Sequence, residues 1–367
     1  MLSPADDLPI HQIAEPIRFV GTSDRNFYDR YYFNLHPCSG DLFTIFGLGV
    51  YPNLGVMDAF VCARQGDTYQ VVRASKEIGA DRTDMAIGPF RIEVLEGLKR
   101  VRFVLEPNEW GLDLDVTWEA AIPAHLEPRH HRRQFGRITF DTSRFAQTGR
   151  WTGTLTFEGQ THNVTPDHWW GARDRSWGVR PVGEAEPAGI RGGHPPGGFY
   201  WNYAPMQFDD FSILYIAEEE PDGTRTLEEA VRIPADGSPV VYLGHPQHEL
   251  EFISGTREVS RARIHMSEPD GTPVVVDVEP LLPVFLAVGT GYGTENDWRH
   301  GMHQGPLKVE SRTWDFNDPA DKAKMSGFVD AVARFRVGDH VGYGLWEYVI
   351  AGAHDKYGFT GYTDMAP

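Results

Sequence analysis

The residues best suited to chemistry lie together near the middle of the chain, in Asp167-His168-Trp169-Trp170-Gly171-Ala172-Arg173-Asp174-Arg175-Ser176-Trp177-Gly178-Val179-Arg180. Two carboxylates, one histidine and three arginines are interleaved with three tryptophans. Such a mixture can move protons, hold an anionic oxygen and stack on π-faces. The same residue types also suit a barrel rim where Arg stacks on Trp and pairs with Asp for structural reasons, and composition leaves both readings open.

These groups need strands to position them. Residues of like parity share a face of an unbroken strand, so Arg173, Arg175 and Trp177 group with Asp167, and Asp174 groups with His168, Ser176 and Gly178. Asp174 and Trp177 then point to opposite faces unless a bulge at one of the glycines intervenes. A second acid, Glu347, shares the parity of Tyr343, Leu345 and Val349. That places a carboxyl among apolar side chains, where burial raises its pKa and keeps a proton available; an ion pair with an arginine within the sheet is the alternative. His265, between Ile264 and Met266, and Tyr292, between two glycines, are further acid/base or phenol candidates. Tyr200, Trp201, Tyr203 and Phe208 form an aromatic cluster, interrupted by Asn202, whose amide could orient a substrate oxygen. Barrel lumens bind apolar ligands with such walls.

Alternation of apolar and polar residues runs through the chain. Leu112 to Glu119 alternates without exception, and Val101 to Leu105, Val274 to Val278 and Ala331 to Val337 follow suit. Asp222-Gly223, Asp236-Gly237 and Asp270-Gly271 supply hairpin turns. The repeated Glu-Pro-Asp-Gly-Thr at 220–224 and 268–272 reads as convergent turn usage. Only Pro319 to Met325 suggests a helical turn. Among 367 residues, 39 Gly and 26 Pro are spread as a turn-rich β protein requires. The segment Pro181 to Gly198 reads as a linker that divides the chain into halves, 1–190 and 191–367.

The Arg-Asp-Arg-Ser-Trp-Gly-Val-Arg string at 173–180 resembles the Arg-Asp-His-x-Trp-Gly-x-Arg motif of the double-lipocalin proteins related to carotenoid 1,2-hydratase and the AttH domain. Phe199-Tyr200-Trp201-Asn202-Tyr203 and Gly342 to Tyr348 strengthen the resemblance. It implies an all-β fold of two lipocalin-like antiparallel barrels or curved sandwiches, the motif ending the first and the aromatic strand opening the second. It also implies a hydratase or related lyase. Where that motif has His, this chain has Arg175, a fixed cation that cannot act as a titratable acid near neutral pH. Either another group supplies the acid, or the reaction differs. A second register, Asp167-His168-Trp169-Trp170-Gly171, keeps a histidine, but the later one also fits Arg173, Ser176 and Arg180.

A net charge of −18 argues against nucleic acid and anionic membranes as partners. Cys38 and Cys62 cannot build a disulfide framework or a Cys-rich zinc site and read as free thiols. The N-terminus lacks the pattern of a secretory signal and no run is long enough to span a membrane, so a soluble cytoplasmic protein is expected. The pairs His300/His303 and His245/His248 read as loop histidines, and His130-His131 with Arg129, Arg132 and Arg133 as a solvated basic island. Without a P-loop, a dinucleotide fingerprint or a Gly-x-Ser-x-Gly elbow, no cofactor and no metal are expected.

The reading that results is a cofactor-independent lyase or hydratase acting on a hydrophobic terpenoid or aromatic small molecule. Asp174 or Glu347 transfers the proton, Arg173 holds an oxygen or orients the acid, and Trp177, Tyr200, Asn202, Tyr203, His168, His265 and Tyr292 bind substrate. A non-catalytic carrier of hydrophobic ligands and an isomerase or cyclase are the alternatives. The oligomeric state is left open.

Overall fold

The alternation at Leu112 to Glu119 becomes the strand Asp113–Ala120, with Leu114, Val116 and Trp118 buried and the intervening residues facing outward. Burying side chains of this size stabilises by about 1.5–3 kcal/mol each, which fixes both the face and the register of the strand. Ala331, Ala333 and Phe335 are buried in the same way along Val329–Val337, opposite Arg334 and Arg336. The three Asp-Gly pairs form turns in which Gly223, Gly237 and Gly271 adopt positive φ, from 80° to 87°. The helical turn is Pro319–Lys322, capped by Asp318.

The computed structural model describes residues 2–134, 136–181, 198–293 and 295–367; the interior of the Pro181 to Gly198 segment lies outside them. Among the described residues, two antiparallel sheets account for nearly all regular structure. The first has 14 strands, in the main order Leu307–Asp315, Thr68–Glu77, Val56–Gln65, Phe43–Tyr51, Phe27–Leu35, Trp170–Val179, Arg137–Phe157, Asp113–Ala120, Arg100–Leu105, Phe90–Glu96 and Ala86–Ile87. It curls into a nearly closed barrel, because Gly88, at the turn after its last strand, abuts Leu307 and Val309 of the first. The second has nine strands, Gly198–Gln207 and His340–Gly352 at its centre, and forms a half-barrel. The architecture is thus all-β with two lipocalin-like units. No helix is long and apolar enough to cross a membrane, and both cysteines are free.

Sheet membership crosses the chain's midpoint. Leu307–Asp315 pairs with Thr68–Glu77 along its whole length, and Arg73, fully buried, donates from Nη2 to Glu310 on the added strand at 2.5 Å.

Two apolar clusters follow from strand parity. Phe33, Phe46, Phe103, Trp118 and Trp151 fill the first barrel. The opposite parity of the same strands gives Tyr32, Phe43, Ile45, Phe60, Tyr69, Val71 and Ala146, which join Tyr203, Leu214, Ile216, Val332 and Leu345 of the second sheet in one continuous core. The outer face of the barrel is therefore a buried junction, and polar side chains of that parity are enclosed between the sheets.

Candidate active site between the sheets

The strand Trp170–Val179 carries the motif and runs unbroken between Phe27–Leu35 and Arg137–Phe157. Its parity divides the motif. Arg173 turns toward the barrel interior, donating to Gln147 Oε1 from Nε (3.1 Å) and Nη2 (2.7 Å) and lying 4.5 Å over the Trp118 ring. Arg175, on the same side, lies 4.2 Å over Tyr31 and pairs with Asp29. Desolvation lowers the pKa of both guanidiniums to about 10. Asp174 faces the junction, directly opposite Tyr32 on one neighbour and Ala146 on the other. Burial raises its pKa against the pull of Arg144, Arg180 and Arg30.

The second sheet brings its own acids to this place. Glu347 is flanked in register by Tyr203 on one side and Asp330 on the other, and direct register places all three on one face. Trp201 Nε1 donates to Glu347 Oε1, and Asn202 Nδ2 donates to the Glu347 main-chain oxygen at 2.9 Å. Tyr32 Oη reaches across from the first sheet to donate to Asp330 Oδ2 at 2.6 Å. Asp330 is fully buried and Glu347 is 7% exposed.

Asp330 and Glu347 are direct cross-strand neighbours, so their carboxyl groups lie on the same face. Two buried carboxyl groups side by side each disfavour the ionised form of the other. Asp330 Oδ1 is buried and has no hydrogen-bond partner among the described residues. Burial, reinforced by the Glu347 charge, holds Asp330 well above the usual carboxylate range. Burial likewise raises Glu347, opposed by Arg144 and the Trp201 hydrogen bond.

Arg144 completes this end of the site. It pairs with buried Glu127 and lies 4.2 Å over Tyr203 and 5.4 Å over Trp201. The far end holds Tyr292, whose ring faces Arg30 at 4.6 Å, Arg180 at 5.7 Å and His300 at 4.4 Å. Arg30 Nη1 donates to Tyr51 Oη (2.8 Å), which leans on Asp58 (3.3 Å). The arrangement can hold a proton on an oxygen acid beside indole and phenol rings, with fixed cations to either side.

The junction thus gathers Asp174, Glu347, Tyr203 and Tyr292, with Asn202 holding the Glu347 backbone. It does not gather the other sequence candidates. Arg173 cannot orient Asp174 or Glu347, because adjacent residues of one strand face opposite ways. Trp177 shares the Arg173 side and is 37% exposed. His168 is exposed in the turn before the strand, so strand parity does not extend to it or to Asp167. His265 faces outward beside Glu249, 3.4 Å away. Tyr200 lies on the opposite face of its strand, 4.4 Å from the His248 ring.

Two loop readings also need correction. His248 is a buried strand residue bonded to Glu219 at 2.8 Å. The basic island is the strand His130–Gln134, where His130 and Arg132 both pair with Glu218 at 2.8 Å.

Sequence reasoning missed Asp330, Tyr32, Arg144 and Arg30. Asp330 had a signal, since its parity within Val329–Val337 is that of buried Val332 as well as of Arg334 and Arg336. Neither of two surface grooves, one lined by Glu249, Arg263 and Arg334, the other by Glu295, Arg312 and Trp314, includes any of these junction residues.

No curated protein matches the sequence. Among solved structures, a Nitrosomonas europaea protein provisionally assigned as AttH aligns with a TM-score of 0.54 and 13% identity, covering 93% of this chain and 98% of that one. The similarity is one of fold. CghA in complex with Sch210972 aligns at a TM-score of 0.48 and 11% identity, over 89% of this chain and 88% of that one. Residues 2–360 match the model of a family of unknown function, DUF8625, and the chain belongs to that family.

Proposed function

We propose that this protein is a cofactor-independent lyase of the hydratase type, acting by proton transfer on a hydrophobic terpenoid or aromatic small molecule. One observation carries the reading: Asp330 and Glu347 stand opposite each other on adjacent strands, both buried, an arrangement in which two carboxyl groups can share a single proton. A buried acid that stays protonated near neutral pH is what general-acid catalysis requires.

In the hydration direction, the pair gives its proton to one carbon of a double bond, whose π electrons form the new C–H bond. The cationic carbon left behind faces Trp201 and Tyr203, whose π-faces favour positive charge. A water molecule adds to that carbon and returns a proton to the carboxylate pair, so one water is consumed and the acid is restored. Elimination of water is the same sequence in reverse. Asp174, within electrostatic reach of Glu347, favours the protonated pair and the cationic carbon.

The test is incubation with a panel of terpenoid and aromatic alkenes and alcohols in D2O, read by mass spectrometry. Gain of one water with solvent deuterium on carbon, or loss of one water, is expected for the wild type and not for Glu347→Gln. A hydrophobic ligand that co-purifies and is returned unchanged, with no turnover across the panel, would make the protein a carrier instead.

A further inference from the structure

The end of the junction away from the carboxyl pair holds two guanidiniums that form no direct ion pair among the described residues. Arg30 is 2% exposed, and among the described residues its guanidinium has one hydrogen-bond partner, Tyr51 Oη, reached from Nη1. Its Nε and Nη2 have none among the described residues, and neither does Arg180 Nε. Among those residues no carboxylate comes within 4.0 Å of either guanidinium's nitrogens. Guanidinium donors left unmatched at this depth cost free energy, and they gain most from a ligand that brings charge and acceptors together.

The neighbouring acids meet that need only in part. Asp58 reaches Arg30 through the Tyr51 hydroxyl rather than directly, and burial pushes its pKa up to about 6 against the pull of Arg30 and Arg180. Asp174 is raised in the same sense, again by burial. His300 is kept neutral by burial and by the two guanidiniums themselves.

Access is local as well. Arg180 and Tyr292 are both half-buried, whereas Arg30 lies deeper, so solvent reaches this end of the junction past Arg180 and Tyr292. Local sequence makes room for this. Arg30 is opposite Gly49, and a side chain there would meet the Tyr51 hydroxyl at 2.4 Å. The glycine is what allows the Tyr51 ring to fold back and fix one arm of Arg30 while its other donors stay free.

From this geometry we infer that Arg30 and Arg180, which both lie against the Tyr292 ring, bind an anionic oxygen group of the substrate, a carboxylate or an enolate. The inference rests on the junction being the substrate site and refines the substrate class to hydrophobic acids. Arg30 and Tyr32 lie two residues apart on one strand face, about 7 Å along the strand, and Tyr32 touches the carboxyl pair. The acid group and the double bond of the substrate are separated by a similar length.

The test needs no knowledge of the natural substrate. Calorimetric titration of the full chain with 2-naphthoate and with neutral 2-naphthamide should show the anion binding at least ten-fold more tightly. Arg180→Gln should remove that preference, with naphthamide affinity within two-fold of wild type. Arg30→Lys, which keeps the charge but loses the planar fork, should weaken naphthoate selectively as well. Equal affinity of the two probes for the wild type, or a preference that survives both substitutions, overturns the inference. Because Arg30 is deeply buried, Arg180→Gln and the wild-type comparison decide the matter if Arg30→Lys does not fold. Glu347→Gln should keep the preference: loss of turnover there with the preference intact supports both readings, and normal turnover in Glu347→Gln would remove the lyase reading while leaving the anion site standing.

Discussion

Removing the acid from the shared-proton pair should separate chemistry from binding. Glu347→Gln and Asp330→Asn each replace a carboxyl by an amide of similar shape, so turnover should fall roughly 10²–10⁴-fold while ligand affinity is held. Asp174→Asn leaves the pair intact and should cost less turnover than Glu347→Gln. Steady-state kinetics with a titration of ligand binding distinguishes these outcomes. The same residues set a pH dependence of stability. Burial raises the folded-state pKa of both acids above unfolded values of about 3.9 and 4.3. Between those values and the raised ones, the folded chain binds more protons than the unfolded chain, so stability falls as pH rises through that window. Asp330→Asn removes this penalty and keeps an acceptor for Tyr32. Its Tm relative to wild type should therefore climb from about pH 5 to about pH 8; a flat or falling difference would contradict the shared proton.

At the scale of elements, the strand Trp170–Val179 positions Asp174 only because its neighbours approach closely. A Cβ at Gly171 would lie 1.9 Å from the Asn34 main-chain oxygen and 2.7 Å from Trp151 Nε1. Asn34 in turn accepts from Trp151 Nε1 (2.9 Å) and Ala172 N (3.0 Å). Gly171→Ala should therefore destabilise by about 1–3 kcal/mol through overpacking, measurable by denaturant unfolding, and should shift Asp174 with the strand. Strands of this kind were legible in sequence because period-two alternation reports one buried face. The alternation at 112–119 and at 331–337 and the three Asp-Gly turns are found where sequence placed them. What alternation cannot report is a sheet buried on both faces. The strand Phe43–Tyr51 is buried at every position, and Phe27–Leu35 at all but two, so Arg30 and Tyr32 carried no pattern that marked them as facing a second sheet. Asp330 and Glu347 meet through strand pairing, and pairing partners are not written in a single strand.

At the scale of the molecule, the proposed site depends on the outer face of one sheet being covered by another, and the chain crosses between them more than once. Leu307–Asp315 belongs to the first sheet although it follows most of the second in sequence. A fragment of residues 1–190 would leave the edge of Thr68–Glu77 unpaired and the apolar junction face exposed. Expressed alone it should lack a cooperative unfolding transition, and co-expression with 191–367 should restore one; independent folding of both fragments would refute the interlock. The junction so formed is where the proposed shared proton would be enclosed, and infrared difference spectroscopy addresses it most directly. At neutral pH, the wild type minus Glu347→Gln spectrum should contain the C=O stretch of a protonated carboxyl, shifting in D2O and weakened equally by Asp330→Asn. A difference spectrum with only carboxylate bands would mean that both acids are ionised and that the junction holds no proton to give.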